Sequence, residues 1–275
     1  MSRKSIYDII EESKFNSSLE YARLGYRFDH EYIEQSSGLY HNYNSTFYAR
    51  VENDLFDNLP IKGTCIDLRD LLEELKIDLS KQNADLDDLF NLIEFILCAI
   101  DADYPEMRFL YDDIMSNIDI ILEKTSHKII KGRLGRIVVP ANEIVDEAVA
   151  LVDDKNISLE ILEYNHRSNI GNLTSKQTIL AKIGKAYELK IKKSNNPISD
   201  DISFLLNKLN IRHNNSVLKD KQIMDNVKDD LEEWYDKLYT LLVAFIIYDE
   251  TEKISKEVQK LKKLSKKDSP PSSRS

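Results

Sequence analysis

Apolar residues recur at helical spacing along most of the chain. Leu19 to Phe28 carries one such pattern, and Ile6-Tyr7-Asp8-Ile9-Ile10 could open another near the start. From Asp67, a residue suited to an N-cap, Leu68, Leu71, Leu72 and Leu75 keep a three-to-four spacing. Leu86, Leu89, Phe90, Ile93, Ile96, Leu97 and Ile100 describe one wide apolar face that begins among acidic residues, where a helix dipole favours them. Pro105 suits the first turn of a helix running through Phe109 and Ile114 toward Ile121. The period then changes: two β-branched runs flank glycines between Lys128 and Pro140, the pattern of a short hairpin and the one sheet this sequence suggests.

Beyond Pro140 the spacing predicts five helices. They cover Asn142 to about Val152, Ser158 to about His166, Thr174 to the polar Ser194-Asn195-Asn196-Pro197, Ser199 to about Leu209, and Gln222 past Tyr248. The last carries Leu231, Trp234, Tyr235, Leu238, Leu241, Leu242 and Phe245 as one stripe. After Thr251 the pattern weakens into lysines, then Ser and Pro, as in a basic tail with no core of its own. The expected organisation is a helical N-terminal part over 1–118, a hairpin connection over 119–140, a helical bundle over 141–251 and a flexible basic tail over 252–275.

Composition agrees with a mainly α protein. Only 7 Gly and 6 Pro occur in 275 residues, too few turn-formers for a chain of many short strands. The formal net charge of -10 argues against a surface that coats nucleic acid non-specifically. Cys65 and Cys98 stand far apart in apolar company, so neither a disulfide framework nor a zinc site is indicated. The start of the chain lacks an apolar run of signal-peptide length, and Leu241 to Tyr248 is far too short to span a bilayer. A cytoplasmic protein with no membrane partner is the expectation. No phosphate-cradling Gly-rich loop, nucleophile elbow or His-Glu-x-x-His occurs, and no cofactor is implied.

Two places could carry chemistry. Arg212-His213-Asn214-Asn215 falls where the pattern of Leu205, Leu206, Leu209 and Ile211 stops. One reading is a helix end, with an amide closing the helix and Arg212 and His213 near its carbonyls. The other is a phosphodiester site, with Arg212 as phosphate clamp, His213 as proton carrier and the two amides positioning the substrate. Glu163 and His166, one helical turn apart, would share a face. Glu-x-x-His also suits carboxylate-bridged metals, but those need a second copy that this sequence lacks. Alternatively His166 ends its helix, or approaches Arg212 as an acid-base partner. The lysines of the hairpin suit a solvated edge or could guide RNA toward a site, and His30, His41 and Tyr40 to Tyr48 could stack bases or pack between helices.

Over roughly residues 120 to 250 the chain resembles bacterial abortive-infection proteins of the AbiJ type, which are placed in the HEPN superfamily of helical domains. The resemblance is carried by Ile211-Arg212-His213-Asn214-Asn215, by Trp234-Tyr235-Asp236-Lys237-Leu238-Tyr239, and by Glu163-Tyr164-Asn165-His166 followed by Gly171-Asn172-Leu173. It implies a HEPN-like bundle in a phage-defence protein, acting as a metal-independent endoribonuclease or as an RNA-binding relative of one. It also implies a homodimer in which two such motifs meet. HEPN ribonucleases carry an Arg, then a polar residue, then a His four to six residues after the Arg. Arg212 and His213 match the first two, but Ser216, Val217, Leu218 and Lys219 stand where the later His belongs. The alternative is therefore a non-catalytic sensor or adaptor that recognises a phage component.

Overall fold

In the computed structural model, residues 15–30, 32–33, 45–105, 111–209, 211 and 230–267 are described. The protein is mainly α-helical, and its contacts divide it into two compact units, 1–141 and 142–275.

The N-terminal unit is built around a helix with almost no polar side. Its elements are α1 (Ser17–His30), a short antiparallel pairing of β1 (Tyr32–Ile33) with β2 (Ser45–Thr46), α2 (Phe47–Arg50), α3 (Leu68–Glu74), α4 (Leu86–Ala102), α5 (Asp112–Thr125) and the hairpin β3 (His127–Lys131) with β4 (Arg136–Pro140). Asp67 caps α3 as its sequence predicts, accepting from the Asp70 amide. Asp85 and Asp88 cap α4 reciprocally, each side chain accepting the other's amide at 2.9 Å. The expected apolar face of α4 is buried, and so are Leu92, Phe95, Cys98 and Ala99, which lie outside it. Such a helix is surrounded on nearly all sides. Helix α1 lies against it through Tyr21, Leu24 and Phe28, and Phe28 meets Phe95 edge-on with ring centroids 5.5 Å apart.

The hairpin forms with the register Ile129↔Val138 and closes through a hydrogen bond from the Gly132 amide to the Gly135 carbonyl. It belongs to the N-terminal unit. The Val138 amide donates to Glu94 of α4 at 2.7 Å, and Arg136 donates to Asp101 at 2.9 Å. It is not the one sheet of the protein, because Tyr32 pairs with Thr46 and Ile33 with Ser45. Two-residue strands leave no alternation for a sequence to show. The helix expected from Pro105 is observed from Asp112, with 106–110 outside the described residues. Ile6 to Ile10, Tyr40 and His41 also lie outside them, whereas Tyr48 packs edge-on against Phe28.

The C-terminal unit contains α6 (Glu143–Ala150), α7 (Lys155–Glu163), a 3-10 turn (Arg167–Asn169), α8 (Leu173–Lys193), α9 (Pro197–Lys208) and α10 (Leu231–Lys267). Asn142, Asp154, Asn172 and Asn196 each cap the following helix with a side-chain oxygen, and Pro197 fills the first position of α9. Ile161, Leu180, Ile183, Ile202, Leu206, Leu238 and Phe245 form the core. Gly184 lets α8 approach α9: a Cβ there would lie 2.8 Å from a Leu206 methyl. The tail expected to be flexible from residue 252 is instead helical to Lys267, and its side chains from Lys253 to Leu264 are exposed. Lys, Glu and Leu are good helix formers, and Glu252–Lys256 adds an i,i+4 pair at 2.8 Å.

Asp103, directly after α4, has a side chain fully removed from solvent. It receives both Nε and a terminal nitrogen of Arg50 at 2.8 Å, the Tyr111 hydroxyl at 2.5 Å and the Tyr104 amide at 2.8 Å. Burial alone would raise its pKa, but the bonds from Arg50 and Tyr111 outweigh it and hold the carboxyl below its usual range. Asp103→Ala is expected to cost about 3 kcal/mol in urea unfolding, because it strands a guanidinium and a buried phenol. The contribution is present in full above the ordinary carboxylate pKa of about 4 and is lost as pH falls through the depressed folded value. The wild-type advantage over the variant should therefore shrink only below about pH 4.

Candidate functional site

Of the residues proposed from sequence, Glu163 and His166 are described, while Arg212, His213, Asn214 and Asn215 lie outside the described residues. Helix α9 ends at Lys208, and Leu209 and Ile211 are buried beyond it. Glu163 and His166 do not share a helical face. Helix α7 stops at Glu163, and His166 has extended backbone, φ -67 and ψ 139, as the N-cap of the 3-10 turn. The Glu163 carbonyl accepts from the His166 amide at 2.9 Å and from the Asn169 side chain at 2.7 Å, which turns the chain out of the helix. His166 thus meets the end of α7 through its amide, on the Glu163 carbonyl, and starts the next turn through its ring, which accepts from the Ser168 amide. Among the described residues, no group of three or more His, Cys, Asp or Glu side chains is arranged to hold a metal ion.

The two described motifs quoted for the family resemblance meet each other. Tyr164 and Tyr239 stack with ring centroids 4.1 Å apart and planes 6° from parallel. The Tyr164 hydroxyl donates to Asp236 at 2.8 Å. The Tyr239 hydroxyl donates to the Ile161 carbonyl at 2.8 Å and accepts from the Asn165 amide at 3.2 Å. Lys176, on the first turn of α8, reaches Asp236 at 2.7 Å and Glu232 at 2.9 Å. Gly171, in the left-handed region at φ 71, donates its amide to the same Glu232 oxygen at 2.9 Å. Ser175 donates to Asn169 at 2.6 Å and fixes the amide that holds the turn.

These contacts set the local electrostatics. Burial and the bond to Asp236 raise the Tyr164 pKa, and burial raises that of Tyr239, so both phenols stay protonated. Burial lowers the Lys176 pKa, but Asp236 and Glu232 more than restore it, leaving a charged ammonium that is only 6% exposed. The bond from Lys176 and the Gly171 amide hold Glu232 below its usual range.

At the surface of this network stand His166, Arg167 and Ser168. The His166 Nδ1 meets the Ser168 hydroxyl at 2.7 Å and the Ser168 amide at 3.2 Å, and a terminal nitrogen of Arg167 lies 3.3 Å from Nε2. His166 and Arg167 are half-buried and Ser168 is exposed. A neutral ring cannot accept at both nitrogens, so the Ser168 amide and Arg167 compete for its single acceptor. Sequence reasoning singled out His166 and missed Arg167. The signal available was the His-Arg dipeptide itself, the reverse of Arg212-His213. It also missed Lys176, Glu232 and Asp236, whose pairing spans some sixty residues.

Tyr239→Phe removes one hydroxyl and leaves the Ile161 carbonyl and the Asn165 amide without it. It should lower stability by about 1–2 kcal/mol, read as an earlier loss of far-ultraviolet circular dichroism on heating. An unchanged melting profile would remove this tyrosine from the network.

No family model, curated protein or solved structure matches this chain, so the resemblance to AbiJ-type proteins rests on its short motifs.

Proposed function

We propose that the C-terminal unit acts on RNA in phage defence, engaging a phosphodiester at the turn that sets His166 beside Arg167. The observation that carries this reading is that pairing: a guanidinium nitrogen 3.3 Å from an imidazole nitrogen, on a turn tied to three helices. A planar guanidinium clamps phosphate oxygens with two parallel hydrogen bonds. Once the Arg167 nitrogen leaves the ring for phosphate, the imidazole acceptor is open to take the proton of a ribose 2′-hydroxyl. Attack of that oxygen on the adjacent phosphorus breaks the bond to O5′ and leaves a 2′,3′-cyclic phosphate and a 5′-hydroxyl. The departing O5′ takes a proton from a second acid. Arg212 and His213 supply a second guanidinium and imidazole in the same unit's sequence. The chemistry needs no metal ion: cationic side chains would balance the charge that builds on phosphorus.

The network beneath the turn supports a binding site because it fixes the turn on rigid elements. It also explains why the quoted Tyr164 and Tyr239 belong to the site without touching substrate. Their role is positioning.

The test uses the full chain and a fluorescein-labelled single-stranded RNA about 20 nucleotides long. Arg167→Ala should weaken binding about tenfold at low salt and reduce the salt slope by about 1. His166→Ala should retain binding and lose cyclic-phosphate ends. Wild-type protein that fails to bind RNA, or binding indifferent to Arg167→Ala, overturns the proposal. Binding without cleavage, with phage protection retained in cells, assigns the protein to the sensor or adaptor class.

A further inference from the structure

Helix α10 continues well beyond the core that it helps to form. Its last core residues are Val243, Phe245 and Ile246, yet the helix runs to Lys267. Along residues 253–264 every side chain is exposed. Four of them are large aliphatics, with Ile254 at 55%, Val258 at 41%, Leu261 at 65% and Leu264 at 58% exposure. At about 100° per residue these four fall within roughly 120° of one another, a stripe about 15 Å long. Glu257 lies within the same arc, between Lys253 and Lys260 one turn to either side. Lys256 and Lys263 occupy the opposite side, and Lys253, Lys260 and Lys262 stand on the flanks. Residues 252–264 hold five lysines against two glutamates, in a chain of net charge -10. Lys253 pairs with Glu250 and Lys256 with Glu252, while Lys260 and Lys263 lie farther along the helix.

We propose that this end of α10 lies on an anionic lipid surface, with Ile254, Val258, Leu261 and Leu264 in the interface and the lysines among the headgroups. Charge placement selects this occupant. A protein groove would cover the aliphatic stripe and reach the flanking lysines, leaving Lys263 on the far side without a counterpart. An RNA strand would take the lysine face and leave the aliphatic stripe in water. A second copy of the helix would set lysine flank against lysine flank. A negatively charged lipid surface meets both faces, because its apolar layer accepts the stripe and its field acts on every lysine within a Debye length of roughly 10 Å. The sequence expectation of no membrane partner rested on the lack of a spanning segment, and this proposal departs from it. No helix among the described residues is long and apolar enough to cross a membrane, and a helix lying in the interface requires none.

The experiment is co-sedimentation of the full chain with vesicles of phosphatidylcholine, with and without about 30% phosphatidylserine. Binding is expected only to the anionic vesicles, and about tenfold weaker when salt rises from roughly 0.1 to 0.5 M. The double variant Ile254→Asp/Leu261→Asp should lose at least about tenfold in partitioning, with unchanged circular dichroism because both positions are exposed. Lys260→Glu/Lys263→Glu should lose a similar amount without touching the stripe. Because the protein as a whole is acidic, non-specific attraction cannot imitate this result. The proposal is overturned if wild type ignores anionic vesicles, if both variants bind as wild type does, or if Leu261→Asp instead abolishes a lipid-free dimer in sedimentation velocity. It is also overturned if the lysine variant loses RNA and not vesicles.

Discussion

Two tyrosine rings stacked 4.1 Å apart, with hydroxyls reaching to different partners, hold the C-terminal unit in register. Tyr164 comes from the chain just past α7 and Tyr239 from the N-terminal part of α10, so the stack ties the end of one helix to the early turns of another. One hydroxyl ends on Asp236, and the other spans the Ile161 carbonyl and Asn165. Asp236 in turn receives Lys176 from α8. Each polar group is satisfied through another, so the network stabilises only when complete. That condition places the His166 turn at one defined position, because Asn169, Ser175 and Gly171 all anchor it to the same three helices.

The N-terminal unit solves a related problem in a different way. Helix α4 is enclosed nearly all round, and the chain must still leave its C-terminal end. Asp103 sits at that exit, where the dipole opposes a negative charge and burial opposes any charge. The Arg50 fork offsets both, and Tyr111 and the Tyr104 amide occupy further lone pairs of the carboxylate. The result is a polar plug in an otherwise apolar interior, made from residues more than fifty positions apart. Removing one partner therefore costs more than the pair itself contributes relative to an apolar replacement.

Local features of the fold were legible because local physics writes them. The Asp67 cap, the face of α4 and the glycine-closed hairpin follow from period and capping, whereas α9 starts at Pro197, two residues before the expected Ser199. The early end of α7 was not legible. Glu163 and His166 have helical spacing, but Asn169 takes the Glu163 carbonyl and the next three residues form a tighter turn. Neither Tyr164–Asp236 nor Lys176–Glu232 leaves any mark on a periodic pattern, since tertiary packing alone decides which distant residues meet. For the same reason Arg167 was passed over beside His166. The tail was misread because its apolar residues are sparse, whereas its helix depends on propensity and i,i+4 ion pairs.

An acidic protein that handles an anionic ligand faces a constraint on how it does so. At a net charge of -10 its long-range field repels RNA and anionic lipid alike. Attraction must then come from charges within about one Debye length of the contact, held in a fixed geometry. The guanidinium beside His166 and the lysines of the distal α10 both meet that requirement, one by rigid placement on a turn and the other by alignment along a helix. Under the proposed function, repulsion at long range would suppress loose binding, so that only a ligand reaching the local geometry would be retained. Weak steering and strict short-range selection belong together here, and both follow from setting small cationic features in an acidic body.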